Sequence, residues 1–162
     1  CERGMTMAEA AEGLLTFRGF KHRQQVYADG RFTVMDDSYN ASPASMKAAL
    51  DVFKGLTGKR HIAVLADMKE LGENYLEYHR EVGEYAANSG VDLVVTLGEA
   101  SKCLAEGARA VKDIPVVEFL DCGEMVKYLE REVRAGDCVL FKGSNSMGLS
   151  AVADKFAEMA GK

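Results

Sequence analysis

Residues 61–100 read HIAVLADMKELGENYLEYHREVGEYAANSGVDLVVTLGEA, and the order of patterns inside this stretch decides the fold. His61–Ala66 is a short, nearly continuous apolar run, the mark of a strand covered on both faces. A polar loop follows, then a helical stretch over Tyr75–Asn88, then a second apolar run over Asp92–Leu97. Strand, helix and strand in this order form a βαβ unit, which requires parallel strands and a crossover helix.

Working outward, the alternation repeats. Towards the C-terminus, a helix over Ala100–Val111 leads to a strand over Val116–Leu120. A helix over Gly123–Arg134 then leads to a strand over Cys138–Lys142, and a last helix covers Leu149–Ala160. Leu149, Val152, Ala153, Phe156 and Ala160 fall on one stripe of that helix. Towards the N-terminus, Ser42 is placed as N-cap and Pro43 as first residue of a helix whose Met46, Ala49, Leu50 and Phe53 share a face; Gly55 and Gly58 end it. Before it, Gln24–Ala28 and Phe32–Asp36 read as two strands around Asp29-Gly30, a pair suited to the positive φ angles of a type I′ hairpin turn. Residues 5–17 read as a short helix and loop left over from a preceding domain. The expected fold is a three-layer, Rossmann-like α/β domain with a mostly parallel sheet, entered through a β-hairpin, with 1–17 as linker and 18–162 as the domain.

Bulk properties exclude several classes. The 162 residues are 48% hydrophobic and 28% charged, ordinary for one globular domain with its own core. No apolar run approaches the roughly 20 residues of a membrane helix, and the first 11 residues lack the pattern of a signal peptide. A formal net charge of −5, with both signs mixed along the chain, argues against a duplex nucleic-acid partner. Cys1, Cys103, Cys122 and Cys138 form no CxxC pair; three of the four lie in or beside apolar stretches and read as small buried hydrophobes, and a reducing cytoplasm fits. His22, His61 and His79 show no metal-ligand spacing, so no metal site is expected from them. His61 reads as structural, and His79 as a packed helix residue or one lining a cleft near Asp67.

In an open α/β sheet, ligands collect beyond the carboxyl ends of the strands. Four loops lie there. Residues 36–43 (DDSYNASP) offer a carboxylate suited to ribose hydroxyls, with Tyr39 and Asn40 beside it, although the same residues make an ordinary polar turn. Residues 66–73 (ADMKELGE) carry three acids at one sheet edge, which suit an ammonium or equally complement the next helix dipole. Leu97-Gly98-Glu99 reads as a helix start. Residues 141–148 (FKGSNSMG) place Lys142, glycine and hydroxyls ahead of a helix, a plausible anion site. There is neither a GxxxxGK[ST] nor a GxGxxG string, so neither usual phosphate cradle is present.

Taken in order, DDSYNASPASMKAAL (36–50), HIAVLADMKELGE (61–73) with His79 after it, and VLFKGSNSMGL (139–149) resemble the C-terminal domain of Mur ligases over about residues 12–158. Within that family they are most similar to the branch that joins D-Ala-D-Ala to UDP-MurNAc-tripeptide. The third-residue ligases carry D-Y-A-H-x-P and KGHE where this chain has YNASP and KGSN. The alternative readings are a related amide ligase, either that third-residue ligase or a folylpolyglutamate synthase, and a stand-alone Rossmann-like binding module.

The resemblance implies an ATP-dependent amide-bond-forming ligase working through an acyl phosphate, with Mg2+ held mainly by a central domain that this chain lacks. This part closes as a lid, completes the ATP site, presents the amine substrate, and is inactive alone. By position, Arg23 resembles a residue reaching the nucleotide phosphates and Asp37 a ribose-binding aspartate, with Tyr39 and Asn40 along adenine and ribose. Asp67, Glu70, Lys142, Gly143 and Ser144 would face the dipeptide and acyl phosphate. Three positions depart from the family pattern: His22 stands for a glycine, Ala66 for the glycine of GDM, and Asn145 for the arginine of KGSR.

Overall fold

A computed structural model describes residue 4 and residues 6–15 and 19–161; Cys1 and the ends of the expected 5–17 helix lie outside the described residues. After α1 (Met7–Leu15), the chain forms β1 (Gln25–Tyr27), β2 (Thr33–Asp36), α2 (Pro43–Phe53), β3 (Arg60–Ala66) and α3 (Tyr75–Asn88). It continues through β4 (Leu93–Leu97), α4 (Ser101–Val111), β5 (Val116–Phe119), α5 (Cys122–Glu132), β6 (Asp137–Lys142) and α6 (Leu149–Ala160). The six strands form one sheet in the order β1-β2-β6-β3-β4-β5. Only the β1–β2 pair is antiparallel.

Period-2 alternation along the strands builds two cores. Val34, Ile62, Val64, Val139 and Phe141 face α5 and α6, where they meet Met125, Leu129, Val152 and Phe156. Met35, Ala63, Leu65, Cys138 and Leu140 face the other way, onto Met46, Leu50, Phe53, Val82 and Leu104 of α2, α3 and α4. Apolar cover on both faces explains the near-continuous hydrophobic runs of β3, β4 and β6. These are the three layers expected from the sequence.

Local signals account for the helix ends. Ser42 and Ser45 make a reciprocal capping box with Pro43 at the first helical position of α2. The helix α5 starts one residue earlier than the glycine suggested, because Asp121 accepts a hydrogen bond from the Glu124 N–H and serves as its N-cap.

The hairpin turn differs from expectation. Residues 28–32 form a five-residue connection, and neither Asp29 nor Gly30 has a positive φ. Gly30 lies where any Cβ would collide with the Ala160 carbonyl oxygen at the end of α6. Arg31 N–H donates to that same oxygen at 2.8 Å. Close approach to a helix end, not turn handedness, is what the glycine serves. The cysteines also differ in part: Cys138 is fully buried, while Cys103 and Cys122 are half-exposed.

Candidate functional site

The chain runs outward from β3 through β4 to β5, then returns to place β6 on the other side of β3. This reversal leaves a crevice at the carboxyl ends of the strands, where three loops meet. Two open grooves lie there. One, of about 390 Å³, is lined by Arg23, Gln24, Asp37, Tyr39, Asn40, Ala41, Ser42, Ser45 and Lys142. The other, of about 380 Å³, is lined by Tyr39, Asn40, Lys69, Glu70, Ser144, Asn145 and Ser146. Tyr39 and Asn40 form the wall between them.

The first groove is organised around a buried charge pair. Asp36 and Asp37 follow one another at the end of β2 and so project to opposite faces of the sheet. Asp37 shares the face of Met35, where the Lys142 ammonium donates to its Oδ2 at 2.6 Å. The same ammonium donates to the Asn40 carbonyl at 3.0 Å, and Lys142 is 2% exposed. The other Asp37 oxygen accepts the Gln24 N–H at 3.1 Å. Each carboxylate oxygen therefore has one protein partner and a second lone pair to offer. The Arg23 guanidinium lies 4.1 Å from the centre of the exposed Tyr39 ring, a cation–π contact that presents it at the groove's edge.

The second groove is organised mainly by hydrogen bonds to backbone amides, with one ion pair at its edge, Lys69 Nζ to Asp67 Oδ2 at 2.9 Å. Three successive amides of the β3 exit loop are pinned: Asp67 N–H to Leu97 O, Met68 N–H to His79 Nε2 at 2.9 Å, and Lys69 N–H to Ser144 Oγ at 2.8 Å. Ser144 N–H returns the bond to Asp67 O at 3.0 Å, tying the β3 and β6 exits together. His79 is fully buried, and its Nδ1 lies 2.6 Å from the Tyr75 carbonyl. An acceptor at Nδ1 and a donor at Nε2 fix the Nδ1–H tautomer. Glu70 then takes a positive φ of 61°, which turns its side chain into the groove rim.

Placement of the expected site residues separates them into three sets. Arg23, Asp37, Tyr39 and Asn40 lie together on the first groove, and Glu70 and Ser144 on the second. Lys142 was expected beside Glu70 and Ser144 but lines the first groove, because β6 is next to β2 and residue 142 shares the face of Met35 and Asp37. Asp67 and Gly143 line neither groove.

Asp67 is 2% exposed, and its Oδ1 accepts from the Ser101 N–H and hydroxyl, both at 2.8 Å. It caps the first turn of α4 from a neighbouring strand, and Gly98 leaves room for it where a Cβ would strike its carboxylate. Burial pushes its pKa up, but hydrogen bonds from Lys69 and Ser101 outweigh burial and hold it below the ordinary value. Gly143 is a packing position: a Cβ there would come within 2.6 Å of the Ala66 methyl.

The sequence reading missed Lys69, which lines the second groove inside a loop read for its acids alone. It also did not anticipate that the fold brings His22, Asp36 and Asp154 together, with candidate ligand atoms within 4.8 Å of one another. Lys21 Nζ already holds Asp154 at 2.9 Å, and both Asp36 oxygens are used by His22 and Ser38. The trio is thus a hydrogen-bonded and ion-paired cluster.

Fold and grooves together define an α/β domain with a divided polar site at the carboxyl edge of a parallel sheet. Residues 22–145 match the model of the Mur ligase, glutamate ligase domain, and the chain belongs to that family. It is 36% identical to the UDP-N-acetylmuramoyl-tripeptide--D-alanyl-D-alanine ligase of Mycobacterium leprae, over 94% of this chain and 33% of that protein. To the ligase of the same name from Bacillus subtilis it is 30% identical, over 96% of this chain and 35% of that one. The chain therefore spans about a third of the length of these relatives. Among solved structures, MurF from Acinetobacter baumannii superposes with a TM-score of 0.84 at 25% identity, covering 96% of this chain and 35% of that one. MurF ligase from Thermotoga maritima in complex with ADP gives a TM-score of 0.73 at 27% identity, covering 88% of this chain and 32% of that one.

Proposed function

We propose that this chain is the nucleotide-closing, amine-presenting domain of an ATP-dependent ligase that joins D-alanyl-D-alanine to UDP-N-acetylmuramoyl-tripeptide in the cytoplasm. Residues 18–162 are the domain proper, and 1–17 belong to the connection with a preceding one. The observation that carries the reading is the division of the site. One groove has an arginine, a ribose-suited carboxylate and an aromatic ring; the other has an ammonium, a carboxylate and hydroxyls.

In the first groove Arg23 takes the nucleotide phosphates, Asp37 the ribose hydroxyls, and Tyr39 and Asn40 the adenine side. Lys142 is a positioning residue here, since its donors are spent on Asp37 and Asn40. In the second groove the amine of the dipeptide is drawn to Glu70, while Lys69, Ser144 and Asn145 suit its carboxylate or an acyl phosphate. Asp67 and Gly143 support that groove from behind. Closing such a domain over the reacting carbonyl excludes water from a hydrolysable intermediate.

A hydrated Mg2+ wants an octahedral set of oxygens. Among the described residues, no such set lines either groove. The ion is given no residue here, and no step of this reading passes through it.

The test is the full-length protein, assayed for ADP release dependent on both UDP-N-acetylmuramoyl-tripeptide and D-alanyl-D-alanine. Asp37→Ala is expected to raise the KM for ATP at least about ten-fold, the loss of one charge-assisted hydrogen bond or more. Unaltered ATP kinetics would remove Asp37 from the nucleotide site, and no dipeptide-dependent turnover would remove the reaction.

A further inference from the structure

Arg23 is held between two residues in a backbone conformation that L-residues rarely adopt. His22 has φ 62° and Gln24 φ 48°, and neither is glycine. Such outliers persist only where their surroundings over-determine them. Around Arg23 they do. The Gln24 N–H is taken by Asp37 Oδ1 at 3.1 Å, and the His22 carbonyl accepts the Tyr39 N–H at 3.0 Å. The His22 N–H donates to Gln25 Oε1 at 3.2 Å and the Arg23 N–H to the Phe20 carbonyl at 3.1 Å. The tether that reaches from the turn into the sheet through a side chain of the turn is the His22 ring, whose Nδ1 lies 2.7 Å from Oδ2 of the fully buried Asp36. The other oxygen of Asp36 accepts both the N–H and the hydroxyl of Ser38, and Ser38 Oγ lies 3.0 Å from Ser150 Oγ on α6. Asp36 is thus a buried anchor with both oxygens hydrogen-bonded, and it faces α6 while Asp37 faces the groove.

We infer that His22 is a positioning residue for the nucleotide groove: its ring tethers the left-handed turn to Asp36 and thereby aims Arg23 at the groove beside Tyr39. The inference rests on the reading of that groove as the ATP site. It assigns to the imidazole a task that a glycine at position 22 would leave undone. Glycine relieves the backbone conformation but supplies no tether, so the two contributions can be separated by substitution. Asparagine tolerates the left-handed region, and its Nδ2 stands close to where the histidine Nδ1 stands, so it restores the donor.

The experiment compares His22→Gly, His22→Asn and the parent in two measurements. In the full-length ligase, His22→Gly is expected to raise the KM for ATP roughly ten-fold, the weight of a hydrogen bond to a charged group, with kcat and the KM for the dipeptide little changed. His22→Asn is expected to return the KM for ATP to within about two-fold of the parent, less than 0.5 kcal/mol by the same conversion. On the chain described here, amide hydrogen exchange at Gln24 and Tyr39 is expected to quicken in His22→Gly and to recover in His22→Asn. An unchanged KM for ATP and unchanged exchange in His22→Gly would overturn the inference. So would failure of His22→Asn to recover either quantity, or a uniform loss of protection across the sheet. Should the full-length protein not use ATP at all, the proposed function fails, while the exchange measurement still decides whether the ring holds the turn.

Discussion

The two grooves share a wall, yet they are held by different forces. The first depends on a buried ion pair between Lys142 and Asp37, residues from the ends of two adjacent parallel strands. The second depends mainly on a histidine ring, a serine hydroxyl and backbone amides, with a half-exposed ion pair of Lys69 to Asp67 at its edge. A buried charge pair is costly to break on one side, because the remaining partner is left unsolvated. A neutral network loses less per bond. The difference teaches that the first groove tolerates few substitutions behind it, whereas the second can be retuned piece by piece.

The largest expected effect breaks the first groove. Lys142→Met leaves the Asp37 carboxylate nearly buried without its cation and should destabilise the domain by roughly 3–5 kcal/mol in urea unfolding. Asp37→Asn added to Lys142→Met should recover a substantial part of that loss. Additive losses would mean that the pair is not coupled.

A smaller effect is expected behind the second groove. His79→Ala leaves the buried Met68 N–H without its acceptor, a cost of about 1–3 kcal/mol, and should speed exchange at the Met68 amide first. A loss equal to that of Lys142→Met would erase the contrast between the grooves.

The smallest effect is a pH dependence. The folded pKa of Asp67 lies below its unfolded value, so the unfolded state binds more protons between the two. Its contribution is present above the unfolded pKa of about 4 and is lost as pH falls through the lower, folded value. Asp67→Asn should flatten the stability curve in that acidic window and leave its slope near neutrality alone. A parallel curve displaced at all pH values would show that capping of α4, not charge, is all that Asp67 provides.

Much of this architecture could be read from periodicity. The α2 and α6 stripes, the buried β3 run and the cap at Ser42 are local patterns, and each was where the pattern placed it. What escaped was set by partners distant in sequence. Gly30 looks like a turn residue until the end of α6 is seen against it. Asp67 looks like a site carboxylate because nothing local reveals that α4 lacks a cap of its own and takes this one. Lys142 ends β6 ahead of a loop resembling an anion site, but which groove it serves depends on strand order. Alternation alone would have separated Asp36 from Asp37, since neighbours on a strand cannot face the same way. Resemblance grouped residues by motif; the sheet regrouped them by face.

The position of β6 has a consequence for how the molecule comes into being. It is the last strand made, yet it lies between β2 and β3, which are synthesised long before it. Until residues 137–142 leave the ribosome, those two strands have open edges where β6 belongs, and α2 has nothing complete to cover. Asp37 waits for a partner 105 residues downstream. A chain released early therefore lacks more than its final helix: it is without Lys142 of the first groove and Ser144, Asn145 and Ser146 of the second, and has an unfilled gap through the centre of its sheet, a form prone to pairing with other chains. The first groove is accordingly a late product of synthesis, complete only once Lys142 has been made.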